Sequence, residues 1–379
     1  MSSRKLIIVF VTIAVAIAAW KITLQKAPET EFMADRLYPE LFDRLNDVAR
    51  ISIKTVENET ELVRIKNQWV VANLDNFPSE FATVKSTLLN LAEVLIIERK
   101  TSKPEFYQKI GVTSLEQQGS DSVLLVVEDA NGNELVQILI GNERSGNNLD
   151  TPNYYVRKVN DAVALLVEGD LDFDDEPSKW VDTDIVNIAA KRIRKVTVHR
   201  PDEKTIVASK KSHADTVLSL EDIPAGLVPV SRSSISAYGG LLLNLKFENV
   251  AAAAKVDGLI PKTIAEVQTF DGLVANLEQF DIDENEYIRF RFAFDPDIVV
   301  APQIVPEAVA ATLDSLNKKN DSSAVKEPKE VSVEDEINLL NAKVSDWIYV
   351  IPDYKVRLLN KAFDELVKPE DEEKPANET

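Results

Sequence analysis

His199 and His213 are the only imidazoles in this 379-residue chain, and cysteine is absent. Without cysteine there is no disulfide, thiolate metal site, sulfur nucleophile or lipid-attachment residue. Two histidines cannot form a multi-histidine metal centre within one chain, and a serine triad would have to use one of them. His199 follows Val196 and Val198 in an alternating run and reads as a sheet-surface residue. His213, within Lys-Lys-Ser-His-Ala-Asp, reads as part of a polar turn. The run Asp170-Leu171-Asp172-Phe173-Asp174-Asp175-Glu176 spaces carboxylates two apart, as a calcium loop does at its start. Such a loop also needs glycine at its sixth place and a bidentate glutamate at its twelfth. Those places hold Asp175 and Val181. Asp281-Ile282-Asp283-Glu284-Asn285-Glu286 fails in the same way, with Glu286 and Phe292. Both clusters read as solvated acidic loops. Trp69, Trp180 and Trp347 could line a sugar groove, but they sit in strands or at domain joins, where core packing is the simpler role. No Gly-x-Ser-x-Gly elbow, phosphate-binding glycine loop, His-Glu-x-x-His or dinucleotide fingerprint is present, and 11 glycines supply few tight loops. Carboxylate or Ser/Lys chemistry leaves little trace in a single sequence and stays open. The expectation is therefore a protein with no catalytic, cofactor-binding or metal residues and no cofactor, acting by contact.

Composition narrows the partners. With 43 basic and 63 acidic side chains the formal charge is −20. That balance opposes phosphate-backbone binding and flat adsorption on anionic lipid, so no nucleic-acid partner is expected. At 45% apolar residues the chain can bury a core.

Arg4 and Lys5 precede Leu6–Trp20, a run whose only polar side chain is Thr12. A basic start followed by such a run is an export signal. As a helix, Leu6–Leu24 would rise about 28 Å, enough to cross the hydrocarbon if Lys21 snorkels. Ala16-Ile17-Ala18 is a cleavage match, whereas Trp20, Ile22 and Leu24 extend the stretch in the manner of a retained anchor. The expected placement is single-pass in the inner membrane through residues 6–24, with the ectodomain in the periplasm.

Residues 1–26 thus form the anchor, and 27–48 a polar connector with helical patterning. Two similar units follow, at 49–180 and 190–362. Each opens on a three-strand meander, 49–54, 61–65 and 68–71 against 195–199, 205–208 and 216–220. Phe77-Pro78 and Ile223-Pro224 then lead into amphipathic helix candidates at Ser79–Ala92 and Ser234–Leu245. Hairpins come next, through Asp129-Ala130-Asn131-Gly132 in one unit and Asp271-Gly272 in the other. Closing strands follow at 154–157 and 162–167, and at 347–350 and 356–359. A helix over Trp180–Lys191 joins the units, a charged insertion fills about 296–335, and an acidic tail, 369–379, is expected to be disordered. The fold class is α+β, two antiparallel-sheet-plus-helix units in tandem.

The succession Gln68-Trp69-Val70, Phe77-Pro78-Ser79, Glu98-Arg99-Lys100-Thr101, Tyr107 and Ile110-Gly111-Val112 resembles the bacterial domain-of-unknown-function family 4340. The resemblance continues through Gly132, Ile140-Gly141, Tyr155-Val156-Arg157, Trp180-Val181-Asp182, Asp271-Gly272-Leu273 and Trp347-Ile348-Tyr349, covering about residues 50–360. It implies a single N-terminal membrane helix and association with gliding-type ABC transport systems, with no catalytic residues to carry over. An auxiliary subunit meeting ABC permease or auxiliary components is the resulting expectation. The alternatives are a module binding cell wall or exported polymer and, behind it, an envelope hydrolase using carboxylates.

Overall fold

The computed structural model describes residues 35–144, 151–299 and 332–370. The expected anchor at 6–24, most of the charged insertion and residues 371–379 of the tail lie outside the described residues. Among the described residues no helix is long and apolar enough to cross a membrane. The fold is mixed α+β with two large antiparallel sheets. Contacts divide the chain into Met1–Val48 with Ser86–Phe173, and Ala49–Lys85 with Asp174–Thr379. The compact units therefore interleave along the sequence, unlike the sequential halves expected from pattern.

The chain enters through a single helical turn, α1 (Leu41–Arg44), and a meander of β1 (Val48–Lys54), β2 (Glu59–Ile65), β3 (Gln68–Val71) and β4 (Phe77–Pro78). Alternation drives it: Ile51, Ile53 and Leu62 are buried while Arg50, Glu59 and Glu61 face out. The meander belongs with the C-terminal residues because they hold it. Thr55 Oγ1 donates to Asp175 Oδ2 at 2.7 Å, Thr60 Oγ1 to the Asp175 carbonyl at 2.8 Å, and Glu80 N to the Trp180 carbonyl at 2.8 Å. Phe77 meets Trp347 and Phe247 edge-on at 4.7 and 5.3 Å. Helix α2 (Phe81–Glu93) buries Val84, Leu88 and Leu91; Phe81, expected on that face, is largely exposed.

The first unit carries β5 (Leu95–Arg99), β6 (Val123–Asp129), β7 (Glu134–Glu143), β8 (Asn153–Lys158) and β9 (Ala164–Glu168). They are ordered β6-β7-β8-β9-β5, so the strand formed first ends beside the last. From Asp35 onward the connector is part of this unit. Arg36 bridges Leu95, Leu37 N donates to the Val94 carbonyl and Ile96 N to the Asp35 carbonyl, both at 2.8 Å. Leu37 and Leu41 are buried.

The second unit continues with β10 (Asp184–Val186), β11 (Ile193–His199), β12 (Ile206–Ser209), β13 (Ser219–Leu220), β14 (Leu227–Pro229), α3 (Arg232–Ser236), β15 (Leu245–Lys246) and β16 (Asn249–Ala252). It closes with β17 (Thr263–Thr269), β18 (Leu273–Ile282), β19 (Asn285–Phe294), α4 (Val333–Val344), β20 (Trp347–Val350), α5 (Asp353–Asn360) and β21 (Val367–Pro369). Its large sheet runs β13-β12-β11-β17-β18-β19-β20-β16. Several expectations need correction. Trp180–Lys191 is a 3₁₀ turn ending at Trp180 followed by β10. Over 234–245 the helix is brief, continued by a 3₁₀ turn at 237–240, because Gly239 and Gly240 interrupt it. Residues 356–359 are helical within α5, where Pro352 sets the N-cap and Val356 and Leu359 share a buried face. Pro369 and Glu370 leave the expected tail: β21 pairs with β14, and Glu370 N donates to the Gly226 carbonyl at 3.0 Å.

Candidate functional site

The structure keeps the two histidines in separate roles. His199 ends β11 exposed, its Nδ1 3.1 Å from Thr205 Oγ1. His213 stacks on Phe270, ring centroids 4.0 Å apart. Its neighbour Asp215 is occupied in folding the turn, accepting from Lys211 N at 2.8 Å and Ser212 N at 2.9 Å.

The acidic clusters are also built into the backbone. Asp170 accepts from Asp172 N at 3.3 Å and Asn90 Nδ2 at 3.1 Å, and Asp174 accepts from Glu176 N at 2.9 Å. Tyr154 stands near the first cluster; burial, then the charges of Asp172, Glu143 and Asp170, pushes its phenol up to about 12. The second cluster, expected as a loop, is the tip of the β18–β19 hairpin. Asp283 and Glu284 both take positive φ, the two-residue turn whose twist suits paired strands. Asp281 and Glu286 face each other across the strands, and Lys262 Nζ binds both, reaching Asp281 Oδ1 at 2.6 Å. Lys262 removes the like-charge repulsion. Among the described residues no group of three or more His, Cys, Asp or Glu side chains could hold a metal ion. Trp69 and Trp180 are buried, and Trp180 Nε1 donates to the Asp174 carbonyl at 2.9 Å; Trp347 is half-buried against Phe77.

What pattern-reading missed is a cleft of about 560 Å³ in the second unit, lined by Ala252–Ala254, Asp257, Arg289–Phe292, Asn341, Ser345 and Asp346. Its origin is legible in the ladders. In the first unit β8 pairs with β9 from Asn153 to Arg157, and only residues 159–163 connect the two strands. In the second, residues 295–346 intervene between β19 and β20, which pair only at Tyr287–Val350 and Ile288–Tyr349. Beyond Ile288 the two strands are not paired. There α4 supplies Asn341, whose Oδ1 accepts from Phe292 N at 2.9 Å while its Nδ2 donates to the Phe292 carbonyl at 2.8 Å. One side-chain amide does there what a neighbouring strand would do. On the rim, Glu278 takes Arg289 at 2.7 Å and Arg291 at 3.2 Å, and Asp257 lies 3.7 Å from Arg289.

Behind the cleft α4 is latched to the sheet. Arg192 Nε donates to Asp271 Oδ2 at 2.6 Å, and its two terminal nitrogens clasp the Glu336 carboxylate at 2.7 and 2.6 Å. The three are only 7, 4 and 2% exposed. Thr269 Oγ1 also donates to Asp271, at 2.5 Å. Ser332 caps α4, accepting from Asp335 N at 3.1 Å, and Glu334, Asp335 and Glu336 complement the positive end of the helix.

In the first unit two motif glycines meet. A Cβ on Gly141 would lie 2.2 Å from the Ile110 carbonyl oxygen, and one on Gly111 would lie 2.9 Å from Asn142 N. The Ile-Gly pairs therefore mark a backbone contact between β7 and the loop before β6. Residues 69–264 match the family described as Domain of unknown function (DUF4340). The chain belongs to this family. No match was found among curated proteins. The DUF4340 match begins at Trp69, spans both motif glycines and stops at Ile264, within β17. Of the cleft, Ala252–Ala254 and Asp257 fall inside the DUF4340 match, whereas Arg289–Phe292, Asn341, Ser345 and Asp346 lie beyond it.

Proposed function

We propose that this DUF4340 protein is a non-enzymatic accessory protein of the bacterial envelope, held at the inner membrane and acting by contact as an auxiliary of an ABC-type, gliding-like transport system. The observation that carries the reading is the apolar run Leu6–Leu24 ahead of an acidic body. The point where that body begins supports it. Asp35–Leu37 are fixed to β5, so at about 3.6 Å per residue the span from Leu24 to Asp35 reaches about 40 Å at full stretch. A body on so short a tether meets membrane-embedded partners and their periplasmic faces. The ABC association itself is carried only by the resemblance drawn from the sequence, and the purification below tests it.

Internal duplication is part of the same reading. Matching strand orders support it: β6-β7-β8-β9-β5 parallels β17-β18-β19-β20-β16, and β3-β2-β1 parallels β13-β12-β11. In both sets the strand that precedes the hairpin ends at the far side of the last strand. Superposition of the two sets strand for strand is the check, and agreement limited to isolated hairpins would remove the duplication. For the function, tagged full-length protein is purified from detergent-solubilised membranes. Permease and ATPase subunits are expected to co-purify. Retention on cell-wall polymer without such partners would favour the polymer-binding alternative, and full release of the protein by osmotic shock would defeat the anchored reading.

A further inference from the structure

We infer that Leu259 and Ile260 form a docking knob for a partner protein whose apolar pocket is rimmed by Lys and Arg side chains. Ile260 is 89% exposed, the most open of the large apolar side chains among the described residues, and Leu259 beside it is 49% exposed. Apolar side chains scattered singly are ordinary on a protein surface, whereas these two adjoin on a loop that is fixed at both ends. Before the pair, Val256 is fully buried in a small core with Phe280, Tyr287 and Ile348, and Leu259 N donates to the Val256 carbonyl at 3.1 Å. Gly258, at φ +81°, turns the chain just ahead of the pair. After it, Lys262 N donates to the Gln279 carbonyl at 2.9 Å, and Lys262 Nζ holds Asp281 and Glu286 at the tip of the β18–β19 hairpin. Side chains presented on so fixed a loop dock with little ordering cost.

The charges around the knob select its partner. Asp283 and Glu284, at the hairpin tip that Lys262 ties to the loop, are exposed and join no ion pair among the described residues. The nearby cations are already engaged: Lys255 with Asp75 at 2.6 Å, Lys262 with the tip carboxylates, and Arg289 with Glu278 at 2.7 Å. Asp257, just before Gly258, has a side chain 73% exposed and lies 3.7 Å from Arg289. The rim is therefore acidic. An anionic bilayer surface would repel it. An isologous contact between two copies would set each acidic rim against its twin. A protein pocket edged by Lys and Arg meets the rim with opposite charge and takes Ile260 at its centre, an apolar anchor inside a polar ring.

The inference rests on the contact reading and names its surface, and its test separates the two. Full-length protein with p-benzoylphenylalanine in place of Ile260 is irradiated in intact cells, with the same photoprobe at exposed Thr216 as the reference. The expected product is an adduct with another protein, its cross-linked peptide combining apolar residues with Lys or Arg, in about tenfold higher yield than from position 216. Leu259→Asp should lower that yield about tenfold, because a carboxylate would enter the apolar pocket. Asp283→Asn with Glu284→Gly removes two rim charges, keeps a pair suited to the two-residue turn, and should lower the yield several-fold. Raising the salt around spheroplasts gives the same readout if that variant does not fold. No adduct, adducts confined to lipid or to a second copy, equal yields from the two positions, or a yield indifferent to the rim charges would overturn the knob. Co-purification of permease and ATPase subunits alongside such a result would leave the accessory role standing.

Discussion

Arg192→Met removes the one cation that, among the described residues, neutralises two buried carboxylates. Asp271 and Glu336 would keep their places at 4 and 2% exposure with no counter-charge. Deleting one member of a buried ion pair costs about 3–5 kcal/mol, chiefly the penalty of the stranded charge. Arg192 binds its carboxylates through Nε and both terminal nitrogens, at 2.6 to 2.7 Å, so the upper half of that range is expected at pH 7. Urea unfolding is followed by tryptophan fluorescence, to which the second unit contributes Trp69, Trp180 and Trp347, the three tryptophans among the described residues. A loss below about 1 kcal/mol would refute the reasoning, and the triple replacement Arg192→Met, Asp271→Leu, Glu336→Leu should recover most of the loss.

Trp69→Ala opens a cavity beneath β3 and should cost about 3–5 kcal/mol; an unchanged melting point accompanied by lost ligand binding would make Trp69 a recognition residue instead. Gly141→Ala drives a methyl group into the Ile110 carbonyl and should cost about 1–3 kcal/mol, read by thermal melting, whereas a neutral result would mean the β7 contact is loose. Burial holds the Lys355 ammonium below its ordinary pKa of 10.5, although it donates to the carbonyls of Gly240 and Leu243. The unfolded state therefore binds the proton more tightly, and stability rises as pH climbs from the folded pKa toward 10.5. Lys355→Met should lack that rise when denaturation midpoints are compared across alkaline pH. Replacing His199 and His213 together should leave cellular function intact, and its loss in a folded variant would count against the non-enzymatic reading.

The meanders, the β6–β7 hairpin and β20 were legible because alternation and Gly-bearing turns announce them. The β18–β19 hairpin was hidden by its turn, Asp283-Glu284, which adopts positive φ with no glycine and sits in an acidic run that reads as loop. Helix α4 carried a readable start, Ser332-x-x-Asp335, but the charged stretch before it masked the signal. The cleft could not be read at all. It depends on where β19 and β20 stop pairing and on a carboxamide 49 residues from the strand it bonds, and no local pattern records either. Likewise the pairing of Gly111 with Gly141 becomes visible only once β7 lies against the preceding loop.

The short clasp of Asp35–Leu37 on β5 also bears on self-association. β5 is the outermost strand of its run, and it presents Leu95, Ile96 and Ile97 in succession. A bare edge of that composition is a template for another chain's backbone. Here the protein's own incoming residues occupy it: Asp35 and Leu37 take up the main-chain groups of Ile96 and Val94. A fragment trimmed to begin at Tyr38 would keep the rest of the sheet and lose that cover. It would be expected to pair edge to edge and precipitate, while a fragment begun a few residues earlier stays dispersed.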